Sequence, residues 1–371
     1  MDVLSRRALN RATLARQLLL ERSPLGPLDA VEHLVGLQAQ EPLDPYTALW
    51  SRLDGFRPDE LAALLEGRRV VRIAVMRSTV HLVSADDCLV LRPLMQPVLD
   101  AELARHSTVA PPLRDVDLTP VLAHARAALA ERPLSGRELR ATLAARFPEH
   151  DAAALAYACR NLLPLVQVPP RGVWGRTSQV RSTTVESWLG RTLSTRPSIG
   201  AVVLRYLAAF GPAAVADVAA WSRLTGLRAV VDRLRPRLRS FRDERGRELF
   251  DLPDAPRPDP DTPAPPRFLP EYDNVLLSHD DRSRFVDAET RARLSRVRGR
   301  VHGSVLYDGV GGGVWRLERE RSPERAVLVI TLVGRVPKRD RAAIAAEGAR
   351  LLRLIAAEAG EHDVRLSSVD D

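Results

Sequence analysis

The order in which apolar patterns follow one another between Asp117 and Trp188 constrains this chain more than any single motif does. "LTPVLAHARAALAE" carries apolar residues at helical spacing. "PLSGRELRATLAARF" then opens a second helix, with Ser135 as N-cap and Glu138 as its capping-box partner. "DAAALAYACRNLLPLVQV" supplies a third helix from Asp151. It runs into "LVQVPPRGVWGRTSQV", which reads as two short strands around a Pro-Pro-Arg-Gly turn. Three helices and a hairpin make a winged helix-turn-helix.

The same order recurs from Ser198 to Pro253. "SIGAVVLRYLAAFG" is a helix closed by Gly211, "PAAVADVAAWSRL" and "GLRAVVDRLRPRL" are the next two, and "RSFRDERGRELFDL" is a hairpin turning at Arg245-Gly246. The N-terminal part is a looser version, ending in the strand pair "RVVRIAVMRSTVHLVS". Between its helices lies "VEHLVGLQAQEPLDPYTALW", where a helix gives way to a loop holding two amides two residues apart. In an extended loop that spacing points Gln38 and Gln40 to one side and turns Ala39 away. The pair is a cap, a solvated turn, or a site that holds a water.

After the third module comes "PDAPRPDPDTPAPPRF", too proline-rich for a helix or a central strand. Strand-like runs and the amphipathic "RDRAAIAAEGARLLRLIAAEAG" follow. The expected fold is therefore α+β: winged helices over residues 1–112 (with the Gln loop), 113–192 and 193–253, then a crossing segment and a small β-rich, barrel-like domain with a C-terminal helix over 254–371. Gly309 to Gly313 reads as a flexible hairpin turn or a surface that approaches a ligand closely. A phosphate loop is not expected there, because no helix follows and no Gly-Lys-Ser/Thr is present.

Composition narrows the partners. With 371 residues, 45% hydrophobic and 27% charged, the chain is long enough for several domains with cores of their own. No run of about 20 apolar residues and no leader-like start appear, so a cytoplasmic protein with no membrane partner is expected. Cys88 and Cys159 lie far apart in apolar surroundings and read as buried free thiols. Lys338 is the single lysine among 55 basic residues, and the net charge is +8. Arginine-rich positive charge favours a polyanion, since guanidinium groups suit bidentate phosphate contacts.

Catalytic motifs of common hydrolases are missing: the eight histidines form no HExxH and no zinc-deaminase pattern, and no GxSxG elbow occurs. No metal or other cofactor is expected. His81, in "RSTVHLV", has a core or a site role open to it. His279 sits in "PEYDNVLLSHDDRSRF" beside Asp273, Asp280, Asp281, Arg282 and Arg284, which is either a polar site or an ion-paired surface turn. Arg160, Arg171, Arg176, Arg233 and Arg237 fall on the third helices and wings of the repeats, where tandem modules grip a duplex through its phosphates.

The "GLQAQ" loop with its trailing "DPYTALWSRL", the strand "RSTVHLV" and the downstream "LPEYDNVLLSHDDR" resemble the AlkZ/YcaQ group of winged-helix DNA glycosylases, and the resemblance spans nearly the whole chain. It implies a C-shaped monomer with a basic concave face that takes duplex DNA, at the nucleoid, and cuts the glycosidic bond of N7-alkylated guanine. It also implies that Gln38 and Gln40 are the catalytic pair, in the Gln-x-Gln form tied to self-resistance against azinomycin-like crosslinkers. Arg77, His81, Arg282 and Arg284 join the expected DNA contacts. Because a crosslinked base cannot be flipped freely, the segment holding Gly309, Gly311, Gly312 and Gly313 is expected as a hairpin pressing toward the groove. No lysine near the Gln loop is placed for a Schiff base, so the expected enzyme is monofunctional. The other reading is a non-enzymatic winged-helix regulator or a drug-sequestering protein.

Overall fold

A computed structural model describes residues 2–297, 301–321 and 324–369. Local signals set the helices where the sequence places them. Leu118–Glu131 starts at Asp117, whose carboxylate accepts from the Thr119 amide. Gly136–Arg146 has the full Ser135/Glu138 box, and Ala152–Leu162 is capped by Asp151. Ile199–Phe210, Val215–Ser222, Leu227–Leu234 and the hairpin Arg239–Asp243/Glu248–Asp251 follow the expected order, with Gly246 at positive φ in the turn.

The second hairpin differs from its sequence reading. Leu165–Gln167 pairs with Arg181–Thr184 rather than with the stretch just after the Pro-Pro turn. Residues 168–180 instead form a long loop, in which two prolines lack donors and Gly172 and Gly175 take positive φ. Tyr46 ties that loop to the N-terminal segment: its hydroxyl donates to Gly172 O (2.8 Å) and accepts from Trp174 N (3.0 Å).

Pairing between strands also joins the repeats to one another. A six-stranded antiparallel sheet runs in the order Leu37–Gln38, Val80–Ser84, Val70–Ala74, Leu165–Gln167, Arg181–Thr184, Leu134–Ser135. The hairpins of the first and second repeats are thus continuous. Val3–Leu4 pairs in parallel with Arg239–Asp243, so the N-terminus completes the third hairpin.

The C-terminal sheet is open, which corrects the barrel-like expectation. Arg267–Pro270, Gly303–Tyr307, Val310–Arg321 and Glu324–Leu332 are antiparallel neighbours, and Glu361–Ser368 adds in parallel at the far edge. A parallel return needs a crossover, here the helix Lys338–Ile355, which covers one face through Ile344, Leu351 and Leu352 and leaves the two edge strands apart.

The glycine-rich segment is not a free hairpin. The turn is Asp308–Gly309, and Gly311, Gly312 and Gly313 lie inside a strand, all four glycines being buried. Arg7 and Arg11 pair with Asp308, and Asn10 Nδ2 donates to Gly309 O at 2.7 Å, docking the turn on the helix Arg6–Arg16. A Cβ on Gly309 meets Asn10, Arg11 and Leu14 atoms at 2.5 to 2.6 Å, with φ at +76°. The expected role of Gly309, Gly311, Gly312 and Gly313 at DNA is corrected accordingly: these glycines permit close packing. We predict that Gly309→Ala lowers unfolding stability by about 1–3 kcal/mol. The check is the urea midpoint, and an unchanged midpoint contradicts the docked turn.

Candidate active site

The Gln loop begins with a reversal. The helix Pro27–His33 ends through Val35 (φ 56°) and Gly36 (φ +90°), where a Cβ on Gly36 comes within 2.7 Å of Val83. The chain then enters the short strand Leu37–Gln38, with Gln38 opposite His81 and Ala39 N donating to Val80 O at 2.8 Å. Ala39 is wholly buried, Gln38 is buried, and Gln40 is exposed. Two amides that share a spacing therefore have different surroundings.

Gln38 is held. Its Oε1 accepts from Arg77 Nη2 at 2.6 Å, and the same nitrogen donates to Asn274 Oδ1 at 2.7 Å and lies 3.3 Å from His81 Nε2. Arg77 Nη1 donates to Trp221 O, and Asn274 Nδ2 donates to Gly36 O. Since the guanidinium only donates, His81 Nε2 is the acceptor and Nδ1 carries the hydrogen, given to Thr79 O at 3.0 Å. Burial, with Arg77 beside it, pushes His81 down to about 3, so the ring is neutral at physiological pH. Burial and the charges of Arg223 and Arg282 push Arg77 down to about 10, which leaves it cationic.

Gln40 opens into a cavity of about 330 Å³ whose lining includes Arg72, Arg160, Gln167 and Arg171. No acidic side chain lines it among the described residues. Arg72 is buried and donates to Ala39 O at 2.8 Å, fixing the backbone between the two amides. The site can thus offer one clamped amide, one exposed amide and positive charge, with no carboxylate lining the Gln40 cavity among the described residues.

The family description "DNA glycosylase AlkZ-like" matches residues 31–354. The chain belongs to the AlkZ-like DNA glycosylase family. It is accordingly a DNA glycosylase, an enzyme of DNA repair that acts on DNA. Its fold is shared with a solved structure, Streptomyces sahachiroi DNA glycosylase AlkZ, at a TM-score of 0.77 and 22% identity, covering 98% of this chain and 100% of that one. No curated protein sequence matches it. Among the described residues, no helix is long and apolar enough to cross a membrane.

In this AlkZ-like chain the arginines expected at DNA divide into three groups. Arg160 and Arg171 share the Gln40 cavity, and the exposed Arg176 is paired with Glu66 at 3.0 Å. Arg233 and Arg237 are exposed at the end of the third helical triplet and line neither amide's surroundings. Arg282 is exposed, and its charge reaches Arg77.

Two expected contacts are corrected. His81 is fully buried, and Arg284 is buried with its guanidinium donating to Thr13 Oγ1 and Pro212 O, so neither reaches a phosphate directly. His279 is likewise buried, with Nε2 at Phe210 O, while Asp280 and Arg282 beside it are exposed and Asp281 pairs with Arg245 at 3.2 Å. Sequence reading passed over Asn274 and Arg72. A charged residue inside the apolar strand "VVRIA" was the available signal for Arg72; Asn274 had only its place after the helix-capping Asp273.

Buried neutral histidines carry a sign for stability. The unfolded chain binds a proton at each near its ordinary value of about 6.5, whereas folded His81 and His279 are pushed well below that. Stability is therefore full above about pH 6.5 and falls on acidification, by up to about 1.4 kcal/mol per histidine per pH unit. Urea midpoints measured at pH 7.5 and pH 5 should differ in that direction, with a smaller difference in His81→Gln. Equal pH dependence in that variant contradicts a buried neutral His81.

Proposed function

We propose that this AlkZ-like enzyme is a monofunctional glycosylase that hydrolyses the C1′–N9 bond of N7-alkylated guanine in duplex DNA. Bulky adducts and interstrand crosslinks are included, which suits self-resistance against an alkylating genotoxin. The observation that carries the reading is the Gln40 cavity, basic and without an acidic side chain among the described residues, next to the clamped Gln38.

An ordinary guanine leaves as an anion unless an acid protonates it. N7 alkylation already gives the base a positive charge, so the C1′–N9 electron pair neutralises it on departure and no general acid is needed. The remaining tasks are to steady an oxocarbenium-like sugar and to hold water beside C1′. Positioned dipoles do both. Water oxygen bonds to C1′ and its proton passes to solvent, with the Gln40 carbonyl as hydrogen-bond acceptor. Gln38 has its oxygen turned to Arg77, which leaves its N–H groups for the DNA.

Arginines on both sides of the amides support a duplex seat: Arg160, Arg171 and Arg176 on one side, Arg77 and Arg282 on the other. Arg233 and Arg237 extend it along the third triplet. Such contacts position the helix without reading sequence.

The test is release of N7-methylguanine and unhooking of an N7-guanine crosslink in EDTA, comparing wild type with Gln38→Ala and Gln40→Ala. The pair together should be worth about 10²- to 10⁴-fold in rate, with DNA binding retained. The rate should be nearly flat from about pH 6 to 9, because the amides do not titrate and His81 and Arg77 titrate outside that window. No release from either lesion by wild type sinks the proposal.

A further inference from the structure

Arg77 stands in an arrangement that the two amides alone do not explain. It occupies the tip between Val70–Ala74 and Val80–Ser84, where it and Ser78 both take left-handed backbone, φ 57° and 58°. Consecutive residues of that kind cost free energy unless their surroundings hold them. What holds Arg77 is a set of neutral partners: Gln38 Oε1, Asn274 Oδ1 and Trp221 O accept from it, and His81 Nε2 lies alongside. Among the described residues, no carboxylate pairs with it. A largely buried cation with only neutral partners lacks a counter-charge.

Arg77 also lines a second cavity, of about 670 Å³, together with Arg105 and Arg223. Both are exposed, and neither forms an ion pair among the described residues; Arg282, which also acts on Arg77, forms none either. Among the described residues, the one carboxylate lining this cavity, Glu102, accepts from Tyr157. A mobile anion with several acceptor oxygens fits that surface, and the polyanion the enzyme acts on carries one at every nucleotide.

We propose that Arg77 is a positioning residue that fixes the Gln38 amide and takes a DNA phosphate as its missing counter-charge, with Arg223 beside it. One guanidinium then sets the distance between a backbone phosphate and the amide that faces the adjoining sugar. Asn274 keeps the fork from rotating, because it accepts from Arg77 while its own amide is tied to Gly36 O at 3.2 Å. The proposal rests on the catalytic reading of Gln38.

The experiment pairs single-turnover release of N7-methylguanine with the salt dependence of duplex binding, in Arg77→Lys, Arg77→Ala and Asn274→Ala, each checked by thermal melting. Arg77→Lys keeps the charge and loses the fork, so the rate falls about 10²-fold while the slope of log affinity against log salt holds. Arg77→Ala loses both: the slope becomes shallower by about 1, and added guanidinium ion restores part of the rate. Asn274→Ala slows release about tenfold with the slope unchanged. A purely structural Arg77 moves neither the slope nor the rescue.

Wild-type rates in Arg77→Lys and Asn274→Ala, beside a collapsed Gln38→Ala, overturn the positioning role and leave the glycosylase reading intact. A wild-type slope in Arg77→Ala overturns the phosphate contact. No release by wild type overturns the glycosylase reading and this inference with it.

Discussion

The arrangement around the two amides depends on a buried ion pair that touches neither of them. Arg52 and Asp273 are each almost fully enclosed and meet in a two-pronged contact, 2.8 Å on both arms. Arg52 also donates to Ala48 O and Gln17 Oε1, so it gathers the helix after the Gln loop and the N-terminal helix onto one carboxylate. Asp273 caps the short helix Asn274–Leu277. Its neighbour Asn274 is thereby delivered to Gly36 and Arg77, some two hundred residues away along the chain. A buried pair of this kind is weak evidence for net stability, since desolvation offsets its attraction, but breaking one partner costs about 3–5 kcal/mol. Its contribution here is to fix which segment faces the Gln loop.

A similar device recurs elsewhere. Arg16 and Asp251 form a second enclosed two-pronged pair, joining the N-terminal helix to the third hairpin. Asp308 receives Arg7 and Arg11 and seats the C-terminal sheet on the same helix. The chain's arginine excess thus has two uses: part of it is spent inside on carboxylates that lock segments together, and part is left at the surface beside the amides.

What was legible in the sequence follows from this division. The helix capped by Ser135 was readable because a cap is a local signal, and the repeated helix-helix-helix-hairpin order came from periodicity; the caps at Asp151 and Ser198 are what the structure adds. The Gln loop stood out because two amides broke an apolar run. Merging of two hairpins into one sheet was not readable, because edge pairing between Arg72 and Gln167 leaves no trace in either strand's own pattern. Arg284 looked like a surface charge for the same reason: its partners, Thr13 and Pro212, are far off in sequence. The glycine run was misread because a glycine needed for close packing and one needed for a mobile turn have the same letter.

The proposed chemistry, without a titrating group, rests on what surrounds the amides: a neutral buried imidazole, a cation with neutral partners, and a cavity with no acid among the described residues. The central claim, which rests on the proposed catalytic role, is that the Gln40 carbonyl dipole favours a positively charged sugar. The direct measurement is the affinity ratio between a duplex carrying a cationic pyrrolidine abasic-site mimic and one carrying the neutral tetrahydrofuran, at equal ionic strength, for wild type and Gln40→Ala. The account predicts a preference for the cationic mimic of about 10²-fold or more, most of it lost in the variant; equal affinities in the wild type contradict it.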